Sequence, residues 1–213
     1  SVVRSDALEV TREMLLTATR VSALATDERV HRVPDDDLPQ VLVANLPYNV
    51  SVPILMHLLE LLPELRSGLV MVQAEVGHRI AAGPGSKEYG VPSAKAAWYG
   101  RWQIAGTVSR QIFWPVPGVD SVLVSYVRAD RHLGSEAERV ITFDLVNAAF
   151  SGRRKMLRQS LQGVRGMPRS ADDASAVIES AGIDPTARAE QLHVEQFLAI
   201  TRALVQQRPV AVQ

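Results

Sequence analysis

The residues best suited to chemistry in this 213-residue sequence are Asn45, Leu46, Pro47 and Tyr48, which follow the apolar run Val41-Leu42-Val43-Ala44. An amine conjugated to an aromatic ring is a poor nucleophile, because its lone pair is delocalised. The side-chain oxygen of Asn45 and the carbonyl of Leu46 can accept both hydrogens of such an amine. That fixes the nitrogen and favours the more pyramidal geometry its attack requires. Pro47 stiffens the turn, and Tyr48 offers a flat face to a purine taken out of its stack. No general base is required, since the proton can leave after the nitrogen has reacted. Asn and Pro are also common turn residues, so the tetrapeptide alone is equally a plain connection.

Its chemistry depends on the elements around it. Val41 to Ala44 reads as a strand buried on both faces, and ligands of open α/β sheets bind beyond the carboxyl ends of such strands. Val52 to Leu62 has helical spacing, ended by Pro63. Gly68 to Val72 reads as a second buried strand, Gln73 to Ala82 as a helix, and Gly83 to Gly90 as a turn-rich loop. Ser93 to Gly100 is a short helix and Trp102 to Val108 a strand. Phe113 to Gly118 is held extended by its prolines. Val119 to Val127 is a strand, with Val122, Val124 and Tyr126 on one side. The last two strands suggest an antiparallel hairpin closing a mostly parallel sheet.

From Glu136 onward only helical patterns remain, at Val140 to Phe150, Ala174 to Ser180 and Val194 to Val205. At the other end, Val2-Val3 reads as a strand ending at Asp6, ahead of a helix from Glu9 to Leu24. The fold expected is α/β: a Rossmann-like sheet over residues 1–133 and an all-helical domain over residues 134–213.

Lys and Arg total 23 and Asp and Glu total 23, so net charge does not announce a polyanion partner. The distribution says more. Arg153, Arg154, Lys155 and Arg158, with Arg165 and Arg169 beyond, form a stretch without acids, suited at helical spacing to tracking a phosphate backbone. A charge run is otherwise a solvated face. With no cysteine there is neither a disulfide nor a thiolate metal site, which fits a cytoplasmic protein. The five histidines lack ligand spacing, and Asp35-Asp36-Asp37 reads as a solvated acidic loop, so no metal is expected. No apolar run has membrane-spanning length.

Four ordered segments, and a fifth with one departure, resemble the rRNA adenine N6-dimethyltransferases. Asn45-Leu46-Pro47-Tyr48-Asn49 is similar to their catalytic motif. Met71 to Val76, leading through Arg79 to Pro84-Gly85-Ser86-Lys87-Glu88-Tyr89-Gly90, is similar to their helix-and-loop signature. Phe113-Trp114-Pro115-Val116-Pro117-Gly118-Val119-Asp120-Ser121 looks like their Phe-x-Pro-x-Pro-x-Val-Asp-Ser segment. Phe150 to Leu157 resembles the opening of their helical domain. Arg188 to Phe197 is similar to their final helix entry, with His193 where a serine cap is usual. The resemblance covers about residues 41–204, and its nearest branch is the bacterial enzyme acting on 16S rRNA.

The resemblance implies S-adenosylmethionine as cofactor and dimethylation of two adjacent adenines in a 16S rRNA hairpin, on the immature 30S subunit, by a cytoplasmic monomer. Asn45 and Leu46 would hold the amine, Tyr48 and Phe113 would stack on the base, and Asp6 with Ala7 and Asn45 would contact the cofactor. Arg153, Arg154, Lys155 and Arg158 would contact RNA. The glycine-rich loop that cradles the cofactor is not found in the sequence, nor is the acid that holds its ribose. Thr11 to Asp37 does not match, and an N-terminal part of the sheet is expected to be missing. The alternatives are a 23S rRNA dimethylase of the macrolide-resistance type, a non-catalytic ribosome-assembly factor, and a DNA or protein amino-methyltransferase.

Overall fold

The computed structural model describes residues 2–18, 38–152 and 154–207. The chain divides into two compact units, one of Ser1–Gly77 with Arg101–Arg128 and one of His78–Gly100 with Ala129–Gln213. This differs from the break expected at 133/134. His78–Gly100 joins the helical unit because its Tyr89 and Ala94 pack in one apolar cluster with Leu145, Leu157 and Phe197.

The first unit is built on four strands: β1 (Val41–Asn45), β2 (Ser67–Gln73), β3 (Gly100–Val108) and β4 (Ser121–Arg128). Their order is β1-β2-β4-β3. β1 runs parallel to β2 with Val43 opposite Leu69, and β2 runs antiparallel to β4 with Val70 opposite Val124. Helix α1 (Ser51–Leu61) makes the crossover between the parallel pair. β4 and β3 lie side by side at one end of the sheet, as the expected pairing of the last two strands requires, but β4 runs antiparallel to β2, so the described sheet is mixed and not mostly parallel.

One face of this sheet is covered. Val70, Val72, Val122, Val124 and Tyr126 are all buried, and Leu55, Leu59, Leu62 and Leu65 from the α1 region complete the core. The start of helix α2 (Ala74–Ala81) comes so close that a Cβ on Gly77 would lie 2.2 Å from Val122 Cγ2. The opposite face is open, which corrects the expectation of strands buried on both sides. Val41 is 59% and Val43 76% exposed, their side chains standing on a face of β1 that the described residues leave uncovered.

The α1 helix follows from its sequence. Pro53 lies in the first turn, where an N–H would lack an intrahelical partner, and Pro63 lies just past the end. Carbonyls at and beyond the C-terminal end are met by Arg128. Its Nη2 donates to Leu59 O at 3.3 Å and Leu62 O at 3.1 Å, and its Nε donates to Leu65 O.

Val2-Val3 does not form a strand, having no neighbouring strand to pair with among the described residues. The following helix starts at residue 12, later than expected, and is described through residue 18. Its N-terminal bond comes from Thr11, whose Oγ1 accepts from Met14 N at 3.3 Å, and not from Asp6. His57 Nε2 donates to Val10 O at 2.8 Å and Arg12 pairs with Glu64, tying this segment to the sheet unit. The acidic loop and most of Thr11 to Asp37 lie outside the described residues.

The second unit is helical, as expected. Its helices are α3 (Val91–Tyr99), α4 (Glu136–Ser151), α5 (Leu157–Ser160), α6 (Ala171–Ser180) and α7 (Val194–Gln206), besides the end of α2. α4 opens on a reciprocal cap: Ser135 Oγ accepts from Glu138 N at 3.2 Å and Glu138 Oε2 from Ser135 N at 2.7 Å. α7 keeps half of that device, with Gln196 Oε1 accepting from His193 N at 2.9 Å. Inside the unit, fully buried Thr142 and Thr201 share a hydrogen bond of 2.9 Å.

Candidate active site

β1 delivers the tetrapeptide. Asn45 is its last residue, paired with Met71, and Leu46 N donates to Met71 O at 3.0 Å, so the ladder holds one step beyond the strand. Leu46 buries its side chain, which leaves its role to the backbone, while Asn45, Pro47 and Tyr48 remain exposed. Asn49 then takes a left-handed conformation (φ 68°), a backbone that asparagine tolerates better than most residues. This reverses the chain into α1. Motif, turn and helix are one continuous device.

Phe113 reaches the same place from the segment between β3 and β4. That segment is pinned at both ends: Arg110 N donates to Asp120 Oδ1 at 2.9 Å, and Arg110 Nη1 to Gly118 O at 3.2 Å. Ala74 N donates to Asp120 O at 3.0 Å, anchoring the segment to the end of β2. Between these anchors Phe113 itself has extended backbone (φ −102°, ψ 149°), but the chain bends through residues 113–115 around the cis Trp114–Pro115 peptide, so the segment is not extended throughout as expected.

The two segments enclose a cleft of about 300 Å³ lined by Asn45, Leu46, Pro47, Tyr48, Met71, Phe113, Trp114, Pro115, Pro117 and Ser121. All five residues singled out for catalysis are brought together. Tyr48 is braced from below, its hydroxyl lying 3.4 Å from the Oγ of Ser121, which is only 2% exposed. The tyrosine phenol is the only ionisable group in this lining. A neutral, aromatic-rich cleft with an amide at its rim suits a planar, uncharged heterocycle bearing an amine. Among the described residues its lining carries no cation to pair with a phosphate or carboxylate and no carboxylate or imidazole to act as base.

In the sequence, Ser121 and Trp114 stand out only as parts of a longer segment, with no place in the site. Ser121 carries a signal: it starts the alternating strand, at the same end of the sheet as Asn45, opposite Gln73.

Asp6 and Ala7 are not among the residues lining the cleft. The Asp6 carboxylate instead accepts from Leu8 N at 2.9 Å within its own turn. Gly83-Pro84-Gly85 follows a helix, and Gly85 N donates to Glu190 O at 2.8 Å. The described residues therefore fit an acceptor base. They do not assemble a strand-loop cradle for S-adenosylmethionine.

The basic stretch also departs from expectation. Arg153 lies outside the described residues. Arg154 and Lys155 are exposed on the non-helical connection between α4 and α5, and Arg158 lies half-buried in the four-residue α5. Helical spacing fails here because Gly152 ends α4, leaving Arg154 and Lys155 on an exposed turn.

Among solved structures the chain matches a dimethyladenosine transferase from Plasmodium falciparum, with TM-score 0.66 and 19% identity, covering 88% of this chain and 77% of that one. It also matches the 23S rRNA methyltransferase ErmE, with TM-score 0.55 and 20% identity, covering 93% of this chain and 80% of that one. At such identities these likenesses establish the fold alone: a Rossmann-like α/β sheet with a helical region after it. The family described as ribosomal RNA adenine dimethylase matches residues 3–206, and the chain belongs to it. That match opens well before residue 41.

Similar proteins include three called ribosomal RNA small subunit methyltransferase A. That of Leifsonia xyli subsp. xyli is 58% identical over 185 residues, covering 87% of this chain and 63% of the relative. That of Streptomyces coelicolor is 48% identical over 191 residues (90% and 66%). That of Paenarthrobacter aurescens is 44% identical over 211 residues (95% and 71%). The chain thus spans somewhat under two thirds of the first two relatives' length.

Proposed function

We propose that the protein containing this chain dimethylates N6 of two adjacent adenines in a 16S rRNA hairpin on the immature small subunit. The observation that carries the reading is the neutral cleft in which Asn45, Leu46, Tyr48 and Phe113 converge at the end of β1. S-adenosylmethionine, the donor of the family reaction, supplies an electrophilic methyl carbon. Everything else below concerns the acceptor side.

The extruded adenine slides between the rings of Tyr48 and Phe113. Its amine donates one hydrogen to Asn45 Oδ1 and the other to the Leu46 carbonyl. Both acceptors lie to one side of the base, so the nitrogen lone pair is drawn out of conjugation and aimed away from them. The proton leaves to water once the nitrogen has become cationic. The ladder bond from Leu46 N fixes the backbone acceptor, and Ser121 fixes the tilt of the Tyr48 ring. Arg154, Lys155 and Arg158 hold the RNA backbone through charge, without reading sequence. One cleft per chain suffices, so the protein acts as a monomer. Its place of work is the cytoplasm, where bacterial small subunits mature.

Replacing Asn45 with alanine tests this. Removing one preorganised acceptor is expected to lower the methylation rate by roughly 10²- to 10³-fold. Affinity for small-subunit particles is expected to stay within about twofold, because the phosphate grip is untouched. The alternative reading is a non-catalytic assembly factor. It predicts no methylation from wild type or variant, with assembly unimpaired by the substitution.

A further inference from the structure

The chain has three tryptophans, and their surroundings differ sharply: Trp98 and Trp102 are each 7% exposed, whereas Trp114 is 93% exposed. A fully solvated indole at a cleft otherwise suited to a base has no packing role to explain it. Trp114 belongs to the same cleft as Asn45 and Phe113. The segment that carries it is pinned, since the bonds of Arg110 to Asp120 and Gly118 clamp it on either side. The backbone share of the cost of ordering an aromatic platform is thereby met in folding and not in binding.

We propose that Trp114 stacks on the unpaired nucleobase next to the adenine held at Asn45, so that the site takes at least two consecutive single-stranded nucleotides. This rests on the function proposed above. The lining favours a nucleobase as occupant: Trp114 shares the cleft with Phe113, Tyr48 and Asn45, which together offer aromatic planes and an amide. Exposed aromatic planes bind single-stranded bases by stacking regardless of their identity. The neighbouring exposed Ile112 and Val116 widen the apolar rim without adding a plane.

The test titrates the protein, without donor, with an RNA hairpin whose loop carries two adjacent unpaired adenines. A fully paired duplex of the same length is the control. Because the other two indoles are buried, emission from Trp114 is expected to be quenched by the hairpin and much less by the duplex. Trp114→Ala is expected to weaken hairpin binding roughly 5- to 100-fold, leaving duplex binding unchanged, and Trp114→Phe to recover most of the loss. In methylation, Trp114→Ala raises KM and spares kcat. Equal hairpin affinity for wild type and Trp114→Ala, or emission that ignores the hairpin, overturns the proposal. If Asn45→Ala still methylates while Trp114→Ala binds weakly, the amine-holding reading has failed and the stacking platform stands.

Discussion

Replacing Arg128 with methionine should unseat the helix that carries the catalytic turn. The Arg128 guanidinium donates to the carbonyls of Leu59, Leu62 and Leu65, all at or just past the C-terminal end of α1. Methionine keeps much of the aliphatic stem and removes every one of these donors. A hydrogen bond from a charged donor contributes about 1.5–3 kcal/mol when buried, and Arg128 is only half-buried, so about 1 kcal/mol for each bond is appropriate. Three bonds give about 3 kcal/mol in all. Lysine restores the charge and only one donor direction at a time, and should recover about half.

The assay is urea unfolding followed by Trp102, which stacks on Tyr126 with ring centroids 4.5 Å apart inside the same unit. Replacing Trp98 and Trp114 with phenylalanine isolates that signal. At a slope of about 1.5 kcal/mol per molar urea, the methionine variant should shift the midpoint by about 2 M. A shift equivalent to less than about 0.5 kcal/mol, the scale of ordinary surface substitutions, would refute the assignment of Arg128 as the clasp of α1.

Further outcomes follow from other interactions. Thr142→Val should cost about 1 kcal/mol in chemical denaturation, since Thr201 Oγ1 keeps its bond to Phe197 O at 3.1 Å. The double change with Thr201→Val should be no worse than the sum of the singles, and a larger loss would contradict the paired geometry. Hydrogen bonds from Arg12 hold the Glu64 carboxyl below its ordinary value of 4.5. Its contribution to stability is therefore complete above that value and lost as pH falls through the lowered one. The stability gap between wild type and Glu64→Gln should narrow on acidification, and a gap that widens would contradict the pairing. Neutralising Arg154 and Lys155 together should reduce the salt dependence of RNA binding by about one unit of slope for each phosphate they neutralise in the wild-type complex. An unchanged slope would remove them from the interface.

What the sequence makes legible here is local. Val41 to Ala44 announces a strand, Pro63 ends a helix, and the alternation of Val122, Val124 and Tyr126 marks the buried side of β4. The turn at Asn45 is readable because an amide, a proline and an aromatic stand together after a strand. Non-local facts are not readable. An apolar run looks the same whether helices cover one face or two, so the 76% exposure of Val43 could not be anticipated. Nor does periodicity tell that β4 threads between β2 and β3, which depends on pairing across roughly 50 residues. Nothing in residue type separates Trp114 from Trp98 or Trp102 until its solvent exposure is seen. Asp6 caps its own turn, a choice open to any aspartate before a helix. The run from Arg154 to Arg158 looks helical until Gly152 is seen to stop α4.

The most direct measurement is nucleoside analysis of RNA recovered after the full-length protein has been incubated with S-adenosylmethionine and undermethylated small subunits. Digestion followed by mass spectrometry should find N6,N6-dimethyladenosine, mapping to two neighbouring adenines of one hairpin, and should find it drastically reduced with Asn45→Ala. Adenosine that emerges wholly unmodified from the wild-type reaction would contradict the claim that the turn after β1 grips a purine amine for methylation.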